Sequence, residues 1–129
     1  MRLQLALNVT NLDRAVEYYT HLFGVSPHKT RPGYANFKID NPALKLVLFE
    51  NPSAKERINH LGVEVDTRKE LDEAMARLAS KGLADSIEED STCCHATQDK
   101  VWSSEPDGLD WEWYRITDDA PHTPSGACC

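Results

Sequence analysis

One pattern occurs twice along this chain, and it leaves few folds open. LQLALNV (Leu3 to Val9) alternates with Leu3, Leu5, Leu7 and Val9 on one side, as a half-buried strand does. Asn11 then offers a helix cap, Leu12, Val16, Tyr19 and Phe23 recur at helical spacing, and Gly24 supplies the stop. RPGY punctuates the chain, and YANFKI and LKLVLFE read as two strands with Asn41 and Pro42 turning between them. A short additional strand fits within Val25 to Thr30. INHLGVEV restarts the series as a strand. TRKELDEAMARLASKG follows as an amphipathic helix, with Leu71, Met75 and Leu78 toward the core, Thr67 as its cap and Gly82 as its end. SIEED, QDKVWSSE and DWEWYRI complete the second half as strands, with PDGLD as the last turn. Each half therefore reads strand, helix and three strands, so the fold class is α+β built by internal duplication. Module one covers 1–52 and module two 57–117, together one domain over 1–117. The remainder, DDAPHTPSGACC (118–129), has the proline, glycine and small polar content of a flexible tail.

Charge narrows the function classes. With 14 basic against 21 acidic residues, the net charge is −7, which leaves no cationic face for a phosphate backbone and argues against nucleic acid. The apolar stretches are far too short to span a membrane, and the amino terminus enters a strand pattern at once, without a signal peptide. The expectation is a cytoplasmic protein. Its four cysteines fall in two adjacent pairs, Cys93–Cys94 and Cys128–Cys129. A disulfide framework would scatter them, and neighbours in sequence do not meet the geometry of an unstrained disulfide. Reduced thiols follow, and two side by side can both reach one soft atom.

LQLALNVTNLDRAVEYYTHLFG, NHLGVEV and EPDGLDWEWY, in that order and at module spacing, resemble the vicinal oxygen chelate superfamily. That group includes glyoxalase I, fosfomycin-resistance enzymes and extradiol dioxygenases, and the likeness covers nearly all of the chain except the tail. It implies that the two βαβββ modules form a cup-shaped mixed sheet with a divalent metal inside. Carried over residue by residue, the ligand positions fall on Gln4, His60 and Glu112, which are then also the catalytic centre. The residue chemistry is compatible. His60 sits in an otherwise aliphatic strand, and a carboxylate at 112 inside an apolar cup would need a cation or partner. The plainer readings stay open here: a structural histidine, and a Glu112 facing solvent between two buried tryptophans. Aligning LKLVLFE with DWEWYRI places Leu46 opposite Glu112, where glyoxalase I carries a fourth ligand, so three protein ligands and open positions are expected. An imidazole, a carboxylate and an amide oxygen resemble, with one substitution, the facial triad of non-haem iron enzymes. Fe(2+) is the expected metal, with manganese, nickel or zinc as alternatives.

From Gln4 to Leu46 is 42 residues and from His60 to Glu112 is 52, so module two is longer by 10, near EEDSTCCHATQDK. An insertion of that kind reads as a loop at the mouth of a site. DSTCCHATQDKVW, RPGYANF and the terminal CC are similar to the arsenic–carbon lyase branch of the superfamily and its cadmium-induced relatives. That resemblance implies that Cys93 and Cys94 bind a trivalent organoarsenical, with methyl or aryl substituents not distinguished. Iron and O2 would then drive cleavage of its carbon–arsenic bond to arsenite. Lys100 is a candidate substrate-steering residue in a mobile loop. His95 could favour thiolate, Trp102 and Tyr34 could line a pocket, and Cys128 and Cys129 could pass metalloid inward. Two other classes compete: a cadmium- or zinc-sequestering thiolate protein, and a glyoxalase-like enzyme of other specificity. Monomer and homodimer are both compatible with the sequence.

Overall fold

The backbone of a computed structural model is described for residues 1–93 and 96–120, and it divides into two compact units, Arg2–Leu61 and a second from Gly62. In the first unit, β1 (Arg2–Val9) leads into α1 (Leu12–Phe23), then β2 (Lys29–Arg31), β3 (Tyr34–Ile39), β4 (Leu44–Glu50) and the start of β5 (Ile58–Glu64). The strand order is β2-β3-β4-β1, with β1 parallel to β4 and the other pairs antiparallel. Helix α1 begins where Asn11 accepts from the Arg14 N–H, and ends at Gly24, whose φ of +68° is a left-handed value that a side chain would resist. The turn between β3 and β4 contains a cis Asn41–Pro42 peptide.

Alternation in β1 is as expected, but its buried side is the polar one. Gln4, Ala6 and Asn8 are buried, whereas Leu5, Leu7 and Val9 are half-buried and Leu3 is exposed. The leucine side packs with Phe37, Ile39, Leu46 and Leu48 beneath Leu12, Val16, Tyr19 and Phe23 of α1. Each strand residue of this unit therefore belongs either to this apolar, helix-covered face or to a second face that buries polar side chains, among them Gln4, Asn8, Asn36 and Lys45. Register assigns Leu46 to the first, because it pairs with Leu5. Gln4 pairs with Lys45 and Ala6 with Val47, so the expectation that Leu46 stands on the ligand side is corrected by one residue. A one-residue shift in a strand exchanges its faces, and the side with Gln4 carries Val47. Neither residue can ligate a metal.

The second unit contains the end of β5, α2 (Arg68–Ser80), β6 (Ser86–Cys93), β7 (Ala96–Ser104) and β8 (Asp110–Asp118), with β7 between β8 and β6 and both pairs antiparallel. Thr67 and Glu70 form a reciprocal capping box at the start of α2. The helix buries Leu71 and, unforeseen in the sequence, Ala74, with Met75 and Leu78 half-buried. Its Arg77 guanidinium lies 5.0 Å over the ring of Trp113.

The segment expected as a loop insertion is strand instead. β6 runs through Cys93, whose partner in the register is Ala96, and β7 runs on from there. A bulge between Glu88 and Ser91 absorbs an irregularity, and Asp90 has the left-handed φ of +50° that aspartate tolerates. The Asp90 N–H donates to Asp99 at 2.9 Å, and Arg68 binds Asp99 at 3.2 Å and Glu89 at 3.0 Å. The hydrogen bond that Arg68 donates to Glu89, above all, holds its guanidinium above its ordinary pKa. Backbone pairing of both strands is the physical reason that this polar stretch is not a loop. Lys100 accordingly lies inside β7 and is 1% exposed, not in a mobile loop.

Candidate metal centre

Gln4, His60 and Glu112 are each nine-tenths or more buried, at 5%, 5% and 2% exposure. This removes the reading of Glu112 as a solvent-facing residue. Its neighbours Trp111 and Trp113 are the half-buried ones, since strand period two sends them to the other face.

In the first unit, the structure brings Gln4 and His60 together. The Gln4 Nε2 atom is 3.1 Å from His60 Nε2, and His60 Nδ1 is 2.8 Å from Asn59 Oδ1. The Phe49 ring centroid lies 6.3 Å from that of the imidazole. Asn59 Nδ2 donates to Asn8 Oδ1 at 3.0 Å, and Asn8 Nδ2 donates to the Glu56 carbonyl at 2.9 Å. Sequence reading missed Asn8 and Asn59. The available signal was Gln4 and Asn8, two amides on the same side of β1 with only the small Ala6 between them.

In the second unit, Glu112 Oε1 lies 3.6 Å from the Lys100 ammonium, both groups almost wholly out of solvent. Lys100 Nζ also sits 5.4 Å from the Trp102 ring centroid, and Trp102 Nε1 donates to Glu88 at 2.7 Å. Tyr114, two residues along from Glu112, donates its hydroxyl to Glu64 at 3.1 Å. Tyr34, a candidate lining residue, is buried in the first unit, accepts from Asn36 Nδ2 at 2.8 Å and meets Phe49 edge-on at 5.6 Å between centroids. Cys94, His95, Cys128 and Cys129 lie outside the described residues, as does the Cys93 side chain, so no geometry is given to the thiol pair.

By residue type, the imidazole of His60, the amide oxygen of Gln4 and the carboxylate of Glu112, each on a residue nine-tenths or more buried, are compatible with a divalent first-row cation. Among the described residues, no group of three histidine, cysteine, aspartate or glutamate side chains is assembled to hold a metal.

Residues 3–113 match the family model of the Glyoxalase/Bleomycin resistance protein/Dioxygenase superfamily, and the chain belongs to that superfamily. It is 49% identical over 125 residues to the cadmium-induced protein CadI of Mycobacterium tuberculosis, covering 97% of this chain and 82% of that one. It is 46% identical over 132 residues to the trivalent organoarsenical cleaving enzyme of Thermomonospora curvata, covering 99% and 87%. Among solved structures, the Mn(II)-bound glyoxalase from Novosphingobium aromaticivorans has a TM-score of 0.62 at 18% identity, covering 97% of this chain and 41% of that one. That likeness shows the α+β fold. Among the described residues, no helix is long and apolar enough to cross a membrane.

Proposed function

We propose that this protein is an Fe(II)-dependent dioxygenase that cleaves the carbon–arsenic bond of trivalent organoarsenicals and releases arsenite. The observation that carries the reading is the near full-length similarity to the Thermomonospora curvata enzyme. The burial of Gln4, His60 and Glu112 supports it, since these residues would hold the metal. Cys93 and Cys94 would bind the substrate. Each thiol displaces one arsenic hydroxyl as water, leaving arsenic on two sulfurs with its carbon substituent in place. For methylarsenite the balance closes with one O2: formaldehyde and arsenite are the products, arsenic stays trivalent, and the carbon supplies the four electrons that dioxygen accepts. Iron(II), when bound, supplies the electronic means for ground-state dioxygen to react. The chain supplies the rest: sulfur capture of the arsenic, removal of water from the donor residues, and the Lys100 ammonium against Glu112, which offsets the cost of a buried carboxylate before metal arrives. Lys100 remains a candidate for substrate steering, and O2 is the co-substrate. The setting is taken as cytoplasmic, as a monomer or homodimer.

The test is anaerobic loading with iron(II), addition of methylarsenite, and admission of air while arsenite and oxygen uptake are measured. One arsenite per O2 is expected. Cys93→Ser should abolish turnover and leave iron binding within about twofold. No arsenite from fully metallated protein rejects the reading. The 49% identity to a cadmium-induced protein supports a second reading, a soft-metal-binding protein. That reading requires tight cadmium binding that survives His60→Ala and proceeds without oxygen uptake.

A further inference from the structure

We infer that Asn8 and Asn59 form a directional amide relay that decides which nitrogen of His60 carries its proton, making both of them positioning residues for the metal-facing nitrogen. The inference rests on the proposed metal site, but its first readout does not require a metal.

The direction follows from one atom that cannot change role. The Glu56 carbonyl oxygen can only accept, so the Asn8 atom 2.9 Å from it is the amide nitrogen. That orients Asn8 Oδ1 toward Asn59, 3.0 Å away, where it needs a donor and receives Asn59 Nδ2. Asn59 Oδ1 is thereby turned to His60 Nδ1 at 2.8 Å, and that nitrogen must carry the hydrogen. In a neutral imidazole, Nε2 is then an acceptor. The contact on its far side agrees: the Gln4 amide nitrogen, a donor, lies 3.1 Å from Nε2. Four hydrogen bonds in series have one consistent polarity, from a backbone carbonyl near the end of the β4–β5 connection to the amide of β1.

Two consequences concern the donor residues. An Nε2 that accepts is ready to ligate without first losing a proton, whereas the other tautomer must exchange its hydrogen. Gln4 also guards this nitrogen with its amide N–H, and a half-turn of the same amide offers Oε1 instead, so one side chain can serve the site without and with metal. Asn8 is 7% exposed, which protects the anchoring end of the relay from water. Asn59 is exposed, so water competes there. The effect of removing Asn59 therefore falls toward the lower end of the range known for partners of ligating histidines, about tenfold in metal affinity.

The experiment uses full-length metal-free protein with ¹⁵N-labelled histidine, at a pH where the ring ¹⁵N shifts themselves report a neutral imidazole. Long-range ¹H–¹⁵N correlations of the His60 ring report the tautomer, and manganese(II) titration followed by electron paramagnetic resonance reports affinity. Wild type should show the Nδ1–H form. Asn59→Leu should populate the Nε2–H form and weaken manganese about tenfold, with an unchanged urea midpoint. Asn8→Leu should shift the tautomer in the same direction by less, and Asn59→Asp, which keeps the acceptor, should restore it. A wild-type Nε2–H form overturns the inference, as does an Asn59→Leu protein with unaltered tautomer and affinity. If the tautomer responds as stated but no arsenical is cleaved, the proposed reaction fails and the relay stands.

Discussion

The polar faces of the two units are built from different chemistry. In the first, amide and imidazole hydrogen bonds join Gln4, His60, Asn59 and Asn8 in series and Asn36 to Tyr34, on a face that also buries Lys29 and Lys45. In the second, Glu112 meets Lys100 and Glu64 meets Tyr114, so ions are withdrawn from solvent with their partners. Neutral amides have a direction without a charge, and a series of them can specify a tautomer at small desolvation cost. An ion pair imposes no such direction. It supplies an anion, together with a cation that lets the anion stay ionised while buried.

The largest effect should come from challenging the division into faces within the first unit. Leu46→Glu inserts a carboxylate among Phe37, Leu48 and the α1 side chains and should cost more than about 5 kcal/mol, enough to unfold an ordinary domain. Val47→Glu, one residue on, falls on the side of Gln4 and Lys45 and opposite Asn36, and should cost less than about 3 kcal/mol. Urea unfolding at neutral pH separates the two. Equal losses would mean that the polar face has no real tolerance for charge.

The charged face is broken next. Glu112→Gln leaves the Lys100 ammonium, 1% exposed, without its carboxylate, and should lower stability by about 3–5 kcal/mol in metal-free protein. Adding Lys100→Met should recover most of that loss, because the desolvated ammonium is then gone. Failure of the double variant to recover would locate the cost in packing, not charge.

These contrasts also mark what the chain itself makes readable. Local signals were dependable: Asn11 with Gly24 and Thr67 with Gly82 bound both helices, and alternation identified β1, β5 and β8, because caps and periodicity depend on neighbours in sequence. Long-range register was not readable. Leu46 and Val47 are both apolar, so only pairing with Leu5 and Ala6 could say which one shares a side with Gln4. Lys100 looked like a loop residue because lysine is seldom buried, and the Glu112 carboxylate diagonal to it across the β7–β8 pair, with the Trp102 ring, makes burial tolerable. Gln4, His60 and Glu112 were expected as ligands through a family likeness, not from spacing. Asn8 and Asn59 escaped because amides on strands far apart in sequence give no spacing rule.

The smallest expected effect concerns the capping box, which α2 has and α1 lacks. Glu70 accepts from the Asp66 and Thr67 backbone N–H groups, then from the Thr67 hydroxyl, and these bonds hold its carboxyl below the usual carboxylate range. A depressed folded-state pKa contributes stability above the unfolded value of about 4.3 and loses it as pH falls through the folded one. Thr67→Ala should cost about 1 kcal/mol at neutral pH, comparable with Asn11→Ala in α1. The two should part on acidification. The deficit of Glu70→Gln relative to wild type should be full at neutral pH and shrink as the solution is taken below about pH 4, while that of Asn11→Ala stays level, since its acceptor is an amide that does not titrate. Thermal unfolding across that range tests the sign, and a Glu70→Gln deficit that grows in acid would show that the carboxylate does not hold the start of α2.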